Sequence, residues 1–224
     1  FFLVLYSVGC APSFSEFQTA DLSGRGNVEV TPYFSSTTGN FDSDEMDGED
    51  AGFVDLQSSF GFRAAYGYTD KVDITFDYES ITAEGDLLKG TGTSIGFKFS
   101  LLNRDEFKLS THIPYSIYRQ EIDGLSLDGS GDAATNDFKA LEPTLLSSYR
   151  LSDNLSLNSS FKIIYPLEED EVESIPQAIN FSASYTLPFF DQLTLIPEYG
   201  MFFDEGEHNY THFGVGFRYR FSSK

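Results

Sequence analysis

The sequence predicts an all-β fold, a closed antiparallel up-and-down transmembrane β-barrel of about ten strands. Three observations lead there. From Gly26 onward, apolar and polar residues alternate in runs of about ten, each ended by a break. The breaks are long and short in turn. The acidic residues crowd into the long ones.

A tilted strand crosses a bilayer in about 9–11 residues, and a period of two sends successive side chains to opposite faces. Runs of that kind sit near 27–34, 53–67, 72–79, 93–101, 107–118, 139–150, 155–165, 178–187, 193–203 and 210–221. In the third, Val72, Ile74, Phe76 and Tyr78 share one face, and Asp73, Thr75, Asp77 and Glu79 the other. The fourth sets Ile95, Phe97, Phe99 and Leu101 against Ser94, Gly96, Lys98 and Ser100. The last sets Phe213, Val215, Phe217, Tyr219 and Phe221 against His212, Gly214, Gly216, Arg218 and Arg220. Apart from Lys139 at the very start of the sixth run, no charged residue falls on the apolar face of any run. Lipid imposes that rule, because a Lys or Arg at the bilayer midplane costs about 2–4 kcal/mol. A soluble sandwich also alternates, but it buries its apolar face and shows the polar one to water.

Composition agrees. The 23 Phe, 13 Tyr and 19 Gly, with no Trp, suit strands and turns. A mean hydropathy of −0.23, with no apolar run after Cys10 near the roughly 20 residues of a spanning helix, excludes a helical membrane bundle. It does not exclude a barrel, in which only alternate residues meet lipid.

The short breaks, 68–71, 102–106, 151–154 and 188–192, are tight turns rich in Asp and Asn. The long ones are 35–52, 80–92, 119–137, 166–177 and 204–209. They hold 21 of the 35 acidic residues, with Lys89 and Arg119 as their only Lys or Arg. One rim of the cylinder therefore carries nearly all of the net charge of −21. Such a surface repels phosphate backbones, so no nucleic-acid partner is expected. The polar face of the sheet is balanced by contrast. Its acids are Glu29, Asp55, Asp73, Asp77, Glu79, Glu142 and Glu198; its bases are Arg63, Lys98, Lys108, Arg150, Lys162, Arg218 and Arg220. These charges are expected to line the lumen as salt bridges. Pro32, Pro114, Pro143 and Pro197 fall inside strands, where bulges or shifted boundaries are expected.

The chain divides into residues 1–10, 11–25 and the barrel, 26–224. Phe1 to Cys10 is an apolar run that reads as a signal-peptide remnant. Ser7-Val-Gly-Cys10 resembles a bacterial lipobox, which implies lipid on Cys10; an ordinary signal peptide with an incidental cysteine is the alternative. As the only cysteine, Cys10 forms no internal disulfide. Residues 11–25 lack strand periodicity and form either a periplasmic tether or a plug in the barrel mouth.

At the C-terminus, His212-Phe-Gly-Val-Gly-Phe-Arg-Tyr-Arg-Phe221 resembles the final-strand signal of Gram-negative outer-membrane β-barrel proteins, of which the small porin-like barrels are the nearest kind. The resemblance implies a bacterial outer membrane, with both termini periplasmic. It also implies partners: membrane lipid, lipopolysaccharide, and the barrel-assembly machinery that reads the last strand.

Candidate chemistry is sparse. Gly92-Thr-Ser94-Ile-Gly96 has the spacing of a nucleophile elbow but opens a strand instead of a strand-to-helix turn. His208 and His212, four apart in a strand, stand about 13 Å from each other, too far to share a metal. Asp204, Glu205, Glu207 and His208 cluster at the acidic rim. Omptin proteases, also ten-stranded barrels, place acids and a histidine at that rim, but no omptin motif is matched residue by residue. Asp42, Asp44, Glu45 and Asp47 offer a weak Ca²⁺ or Mg²⁺ site, although the run fails the EF-hand pattern. No cofactor is expected.

The leading functional expectation is a small porin-like channel for passive passage of small solutes or cations. The alternative is a structural or surface-interaction barrel that uses its acidic external loops. A rim enzyme, an omptin-like protease or a lipid hydrolase, comes third.

Overall fold

The alternating runs become strands in the computed structural model, which describes residues 15–40, 53–83, 88–122, 134–167, 175–203 and 210–221, without the side chains of 40, 53–56, 88, 121, 122 and 134–136. The strands are β1 (Val28–Asn40), β2 (Phe53–Thr69), β3 (Val72–Ala83), β4 (Leu88–Asn103), β5 (Phe107–Ile122), β6 (Ala134–Leu141), β7 (Thr144–Arg150), β8 (Leu155–Ile163), β9 (Tyr165–Pro166), β10 (Gln177–Leu187), β11 (Phe190–Phe203) and β12 (Tyr210–Phe221). They make ten staves. β6 and β7 are halves of one stave, since both pair with β5, and β8 continues into β9 as another. Each stave pairs antiparallel with its chain neighbour. The ring closes where β1 meets β12, from Val28↔Phe221 to Gly39↔Tyr210. The fold is the closed up-and-down barrel expected from the sequence.

The barrel is apolar outside and mainly polar inside, except toward the long connections, where Ala140, Ile164, Ala178 and Phe202 form a buried apolar cluster. Phe60, Phe76, Ile95, Phe97, Phe181, Phe213 and Phe217 are exposed, whereas Asp73, Thr75, Lys98, Ser110, Lys162 and Asn180 are buried. On β5 the outward positions from Phe107 to Ile117 are apolar apart from Thr111, and Arg119 ends the row. At a rise of about 3.3 Å per residue and a tilt of about 40°, that row is about 25 Å tall. This is the height of a lipid-facing band.

Several strands run further toward the long connections than the pattern predicts. β1 reaches Asn40 instead of 34, β4 starts at Leu88 instead of 93, and β6 starts at Ala134 instead of 139. Beyond the apolar band the outward residues turn polar, as at Ser36, Thr38, Arg119 and Asp137. There Arg119 Nε and Nη2 donate to Asp137 across the rung at 2.9 and 3.1 Å, in the open. With polar residues on both faces the alternation disappears, yet the ladder continues.

The prolines are accommodated without bulges. Register shifts occur at Thr37/Thr38, Gly67/Thr69, Ser100/Leu102 and Thr186/Leu187, none of them at a proline. Pro143 instead sits in the break between β6 and β7, and Pro114 lies where β5 changes partner from β7 to β6. Pro32 and Pro197 each lie where one ladder skips rungs: β1 to β12 between Val30 and Tyr33, and β10 to β11 between Ser182 and Tyr185. A residue without an N–H loses nothing at a rung that is not made.

Residues 15–25 run inside this cylinder, from mid-height at Ser15 down to the tight-turn end, where Arg25 leads into β1. Glu16, Phe17, Gln18, Thr19, Ala20 and Ser23 are all buried. Gly24 and Gly26, with φ of +81° and +80°, make the reversal, a conformation that favours glycine. Gly26 N–H then donates to Gly67 O at 2.8 Å and Gly67 N–H to Asn27 O at 2.9 Å. A Cβ at Gly67 would lie 1.8 Å from Gly24 O, so only glycine lets the returning chain pass this close.

Candidate functional site: the barrel lumen

The inner segment and the wall around it are joined chiefly by polar contacts. The upper attachment is Glu198 on β11. Its carboxylate accepts the Glu16 N–H at 2.7 Å and the Phe17 N–H at 2.8 Å, and His212 Nε2 lies 3.3 Å away. Phe17 has φ of +40°, unusual for a bulky residue. Successive N–H groups converge on one anion when the backbone turns this way, so the strained conformation and the double hydrogen bond go together.

The Glu16 side chain points into a basic cage from three other staves. Lys162 Nζ is 3.2 Å away, Arg63 Nη1 3.6 Å and His112 Nδ1 3.6 Å. Burial alone would raise the Glu16 carboxyl, but Lys162, Arg63 and His112 outweigh it and hold the group well below the usual carboxylate range. The phenyl ring of Phe17 stacks on Tyr33 at 4.9 Å between centroids and packs with Ile196. Its seat exists because Gly214 and Gly216 have no side chains. A Cβ on Gly214 would stand 2.4 Å from Phe17 Cζ.

Further down, the wall binds the backbone. Ser148 Oγ accepts the Ala20 N–H at 2.8 Å, and Ser110 donates to Ala20 O at 2.6 Å. Lys98 Nζ donates to Asp21 O at 2.7 Å and to Thr19 O at 3.4 Å. Asp73 accepts the Ser23 N–H at 2.8 Å. Arg218 donates to Thr19 Oγ1 at 2.9 Å, and Lys108 pairs with the Asp21 carboxylate. Burial opposes ionisation of Asp21, but Lys108, Arg218 and Lys98 lower its pKa nevertheless.

The remaining wall charges pair with one another. Arg63 bonds Asp77, which also accepts from Ser94 at 3.2 Å. Glu142 accepts from Tyr118 at 2.6 Å and faces Lys162 at 3.5 Å. Tyr33 donates to Glu79 at 3.5 Å, and Arg220 Nε donates to Glu29 at 2.7 Å. Cavities of about 20 Å³ lie above Glu16, beside Tyr33, Glu79 and Tyr118, and next to Phe17, beside Glu29 and Lys98. Each has room for roughly one water.

Of the wall charges picked out by alternation, Glu29, Arg63, Asp73, Asp77, Glu79, Lys98, Glu142, Lys162 and Glu198 are buried inside the barrel. Lys108, Arg218 and Arg220 are partly buried near the tight-turn end. Arg150 is exposed at that end, because its inward position lies past the last stretch of packed wall. The Asp55 side chain lies outside the described residues, as do Cys10, Asp42, Asp44, Glu45, Asp47, Asp204, Glu205, Glu207 and His208. Sequence reading missed Glu16, Asp21, Tyr33, His112 and Tyr118 as members of the network. His112 was legible in one respect, since it alternates in phase with Lys108 and Ser110 on β5. Ser94 of the elbow-like motif stands in mid-strand, and its flanking glycines serve packing. A Cβ at Gly96 would meet Pro114 Cα at 2.6 Å, and one at Gly92 would meet Glu79 and Tyr118.

No protein-family model matches the chain, and no curated protein matches it. Solved structures do. An outer membrane channel from Pseudomonas putida F1 aligns with 88% of this chain and 96% of that one, at TM-score 0.54 and 11% identity. The outer membrane protease OmpT from Escherichia coli aligns with 92% of this chain and 100% of that one, at TM-score 0.51 and 11% identity. At such identity the likeness is one of architecture: the chain has the closed-barrel fold of Gram-negative outer-membrane proteins.

Proposed function

We propose that the protein is a bacterial outer-membrane channel for small solutes or cations, held shut by its own N-terminal segment. The observation that carries this reading is the chemistry of the seat. Polar groups hold the segment almost throughout, and Phe17 makes the main apolar contact. Around the segment the wall is mostly Ser, Thr, Asn, Lys and Glu, which is wettable once the segment leaves, whereas an apolar wall would stay dry or collapse. Ten staves enclose little more than side chains can fill, so an eleven-residue strip suffices to close the bore. The acidic residues of the long connections would concentrate cations at one mouth. In this orientation the tight turns and both chain termini face the periplasm, and the long connections meet lipopolysaccharide.

Planar-bilayer recording tests it. The native chain is expected to show a closed baseline. Full-length Glu16→Lys, which sets a cation against Arg63 and Lys162, is expected to give discrete cation-biased steps. A folded Glu16→Lys barrel that passes no current would favour the structural or surface-interaction reading. Steady current through the native chain would mean that the segment does not close the bore.

A further inference from the structure

The contacts that hold residues 15–25 are of a kind that reads peptide backbone. Glu198 takes two consecutive N–H groups, Ser148 and Asp73 one each, and Lys98 and Ser110 take three carbonyls between them. These partners come from β3, β4, β5, β7 and β11, so they encircle the strip. Charged and aromatic side chains are read at three places, beside single polar contacts of Gln18 with His112, Thr19 with Arg218 and Ser23 with Asp73. The cage of Arg63, Lys162 and His112 takes a carboxylate, the Tyr33 face over Gly214 and Gly216 takes an aromatic ring, and Lys108 takes a second carboxylate. The first two ligand positions are adjacent and the third lies five residues after the first, the spacing of Glu16, Phe17 and Asp21.

We infer that the lumen is a peptide-binding site for extended polar peptides with that carboxylate–aromatic–carboxylate pattern, and that the chain's own segment is its resident ligand. A free peptide of the same chemistry competes for the seat whenever the resident segment is loosened. The inference shares with the channel reading only the premise that the segment is displaceable. Its test therefore reads binding and not current.

The probe is a fluorescein-labelled synthetic peptide of residues 15–25, titrated by anisotropy against full-length protein in detergent micelles. One protein is native. The second carries Glu16→Lys and Asp21→Lys. A third, with Glu16→Gln and Asp21→Asn, loosens the segment without opposing charge and stands in if the reversal impairs folding. The peptide is expected to bind the loosened proteins at least tenfold more tightly than the native chain, whose seat is occupied. The same peptide with Glu16→Lys is expected to bind them at least tenfold more weakly. Equal binding to native and loosened proteins, or indifference to Glu16→Lys in the peptide, would overturn the inference. Current through Glu16→Lys protein without peptide binding would leave the channel standing and remove the peptide site. Binding without current would do the reverse.

Discussion

Glu16 and Glu198 illustrate how differently two buried carboxylates are held. Glu198 is satisfied by N–H donors from the segment and by His212, whereas Glu16 is satisfied by cations of the wall. Glu198→Ala deletes a charged acceptor shared by three donors and leaves two backbone N–H groups unpaired in the lumen. The expected cost is on the order of 3 kcal/mol, read as a fall in unfolding free energy in urea titrations of vesicle-embedded protein. A loss below about 0.5 kcal/mol would mean that the attachment is idle. Glu16 also fixes a pH dependence. A carboxyl held below its free value stabilises docking at every pH above that value, roughly 4. The contribution shrinks as pH falls from the free value toward the depressed one and is gone below it. Bilayer recordings of the native chain should therefore stay closed from pH 7 down to about 5, and opening near pH 6 would contradict this assignment. Neither role was legible in the sequence. Residues 11–25 carry no periodicity, and the partners of Glu16 are brought together from β2, β5 and β8 only by closure of the ring.

At the scale of the strand, the sequence was far more informative. A period of two leaves one set of side chains for lipid and one for the lumen, so β3, β4 and β12 had their faces assigned correctly from Asp73, Lys98 and Gly214 alone. What it could not show was where each strand ends, because above the band the outward Ser36, Thr38 and Arg119 are as polar as the buried inward Ser35 and Thr37, so the pattern no longer alternates. The proline signals were met at Pro143, where the strand breaks, but no bulge accompanies Pro32, Pro114 or Pro197. Prolines mark a missing donor but not which rung of which ladder is left unmade. A consequence is measurable. Phe97→Lys, within the apolar band, is expected to cost about 2–4 kcal/mol in the same urea titrations, whereas Thr38→Lys, beyond it, is expected to cost under about 1 kcal/mol. Equal costs at the two sites would place the band wrongly.

For the whole molecule, two facts point the same way. The exterior is a belt of Phe, Tyr, Ile and Leu that water would not favour. From mid-height to the tight-turn end the interior is a largely polar network completed by the chain's own first described residues, with the Ala140, Ile164, Ala178 and Phe202 cluster above it. A ten-stave barrel with only its wall charges would enclose several buried ions facing one another across a narrow bore. The inner segment supplies Glu16 and Asp21 where Arg63, Lys162, Lys98 and Lys108 need them. Ring closure and filling are thus one design. Closure was legible from the even strand count and the alternating connections, while filling was legible only as one of two alternatives for residues 11–25, tether or plug, since the choice depends on geometry across the bore.

Hydrogen–deuterium exchange of the native chain in bilayers, resolved over residues 15–25, tests this most directly. The backbone N–H groups of Glu16, Phe17, Ala20 and Ser23 are bonded to the wall, so this stretch should exchange as slowly as the neighbouring barrel strands, over hours. Exchange within seconds, at the rate of a free peptide, would mean that the segment lies outside the barrel and that the lumen is not closed by it.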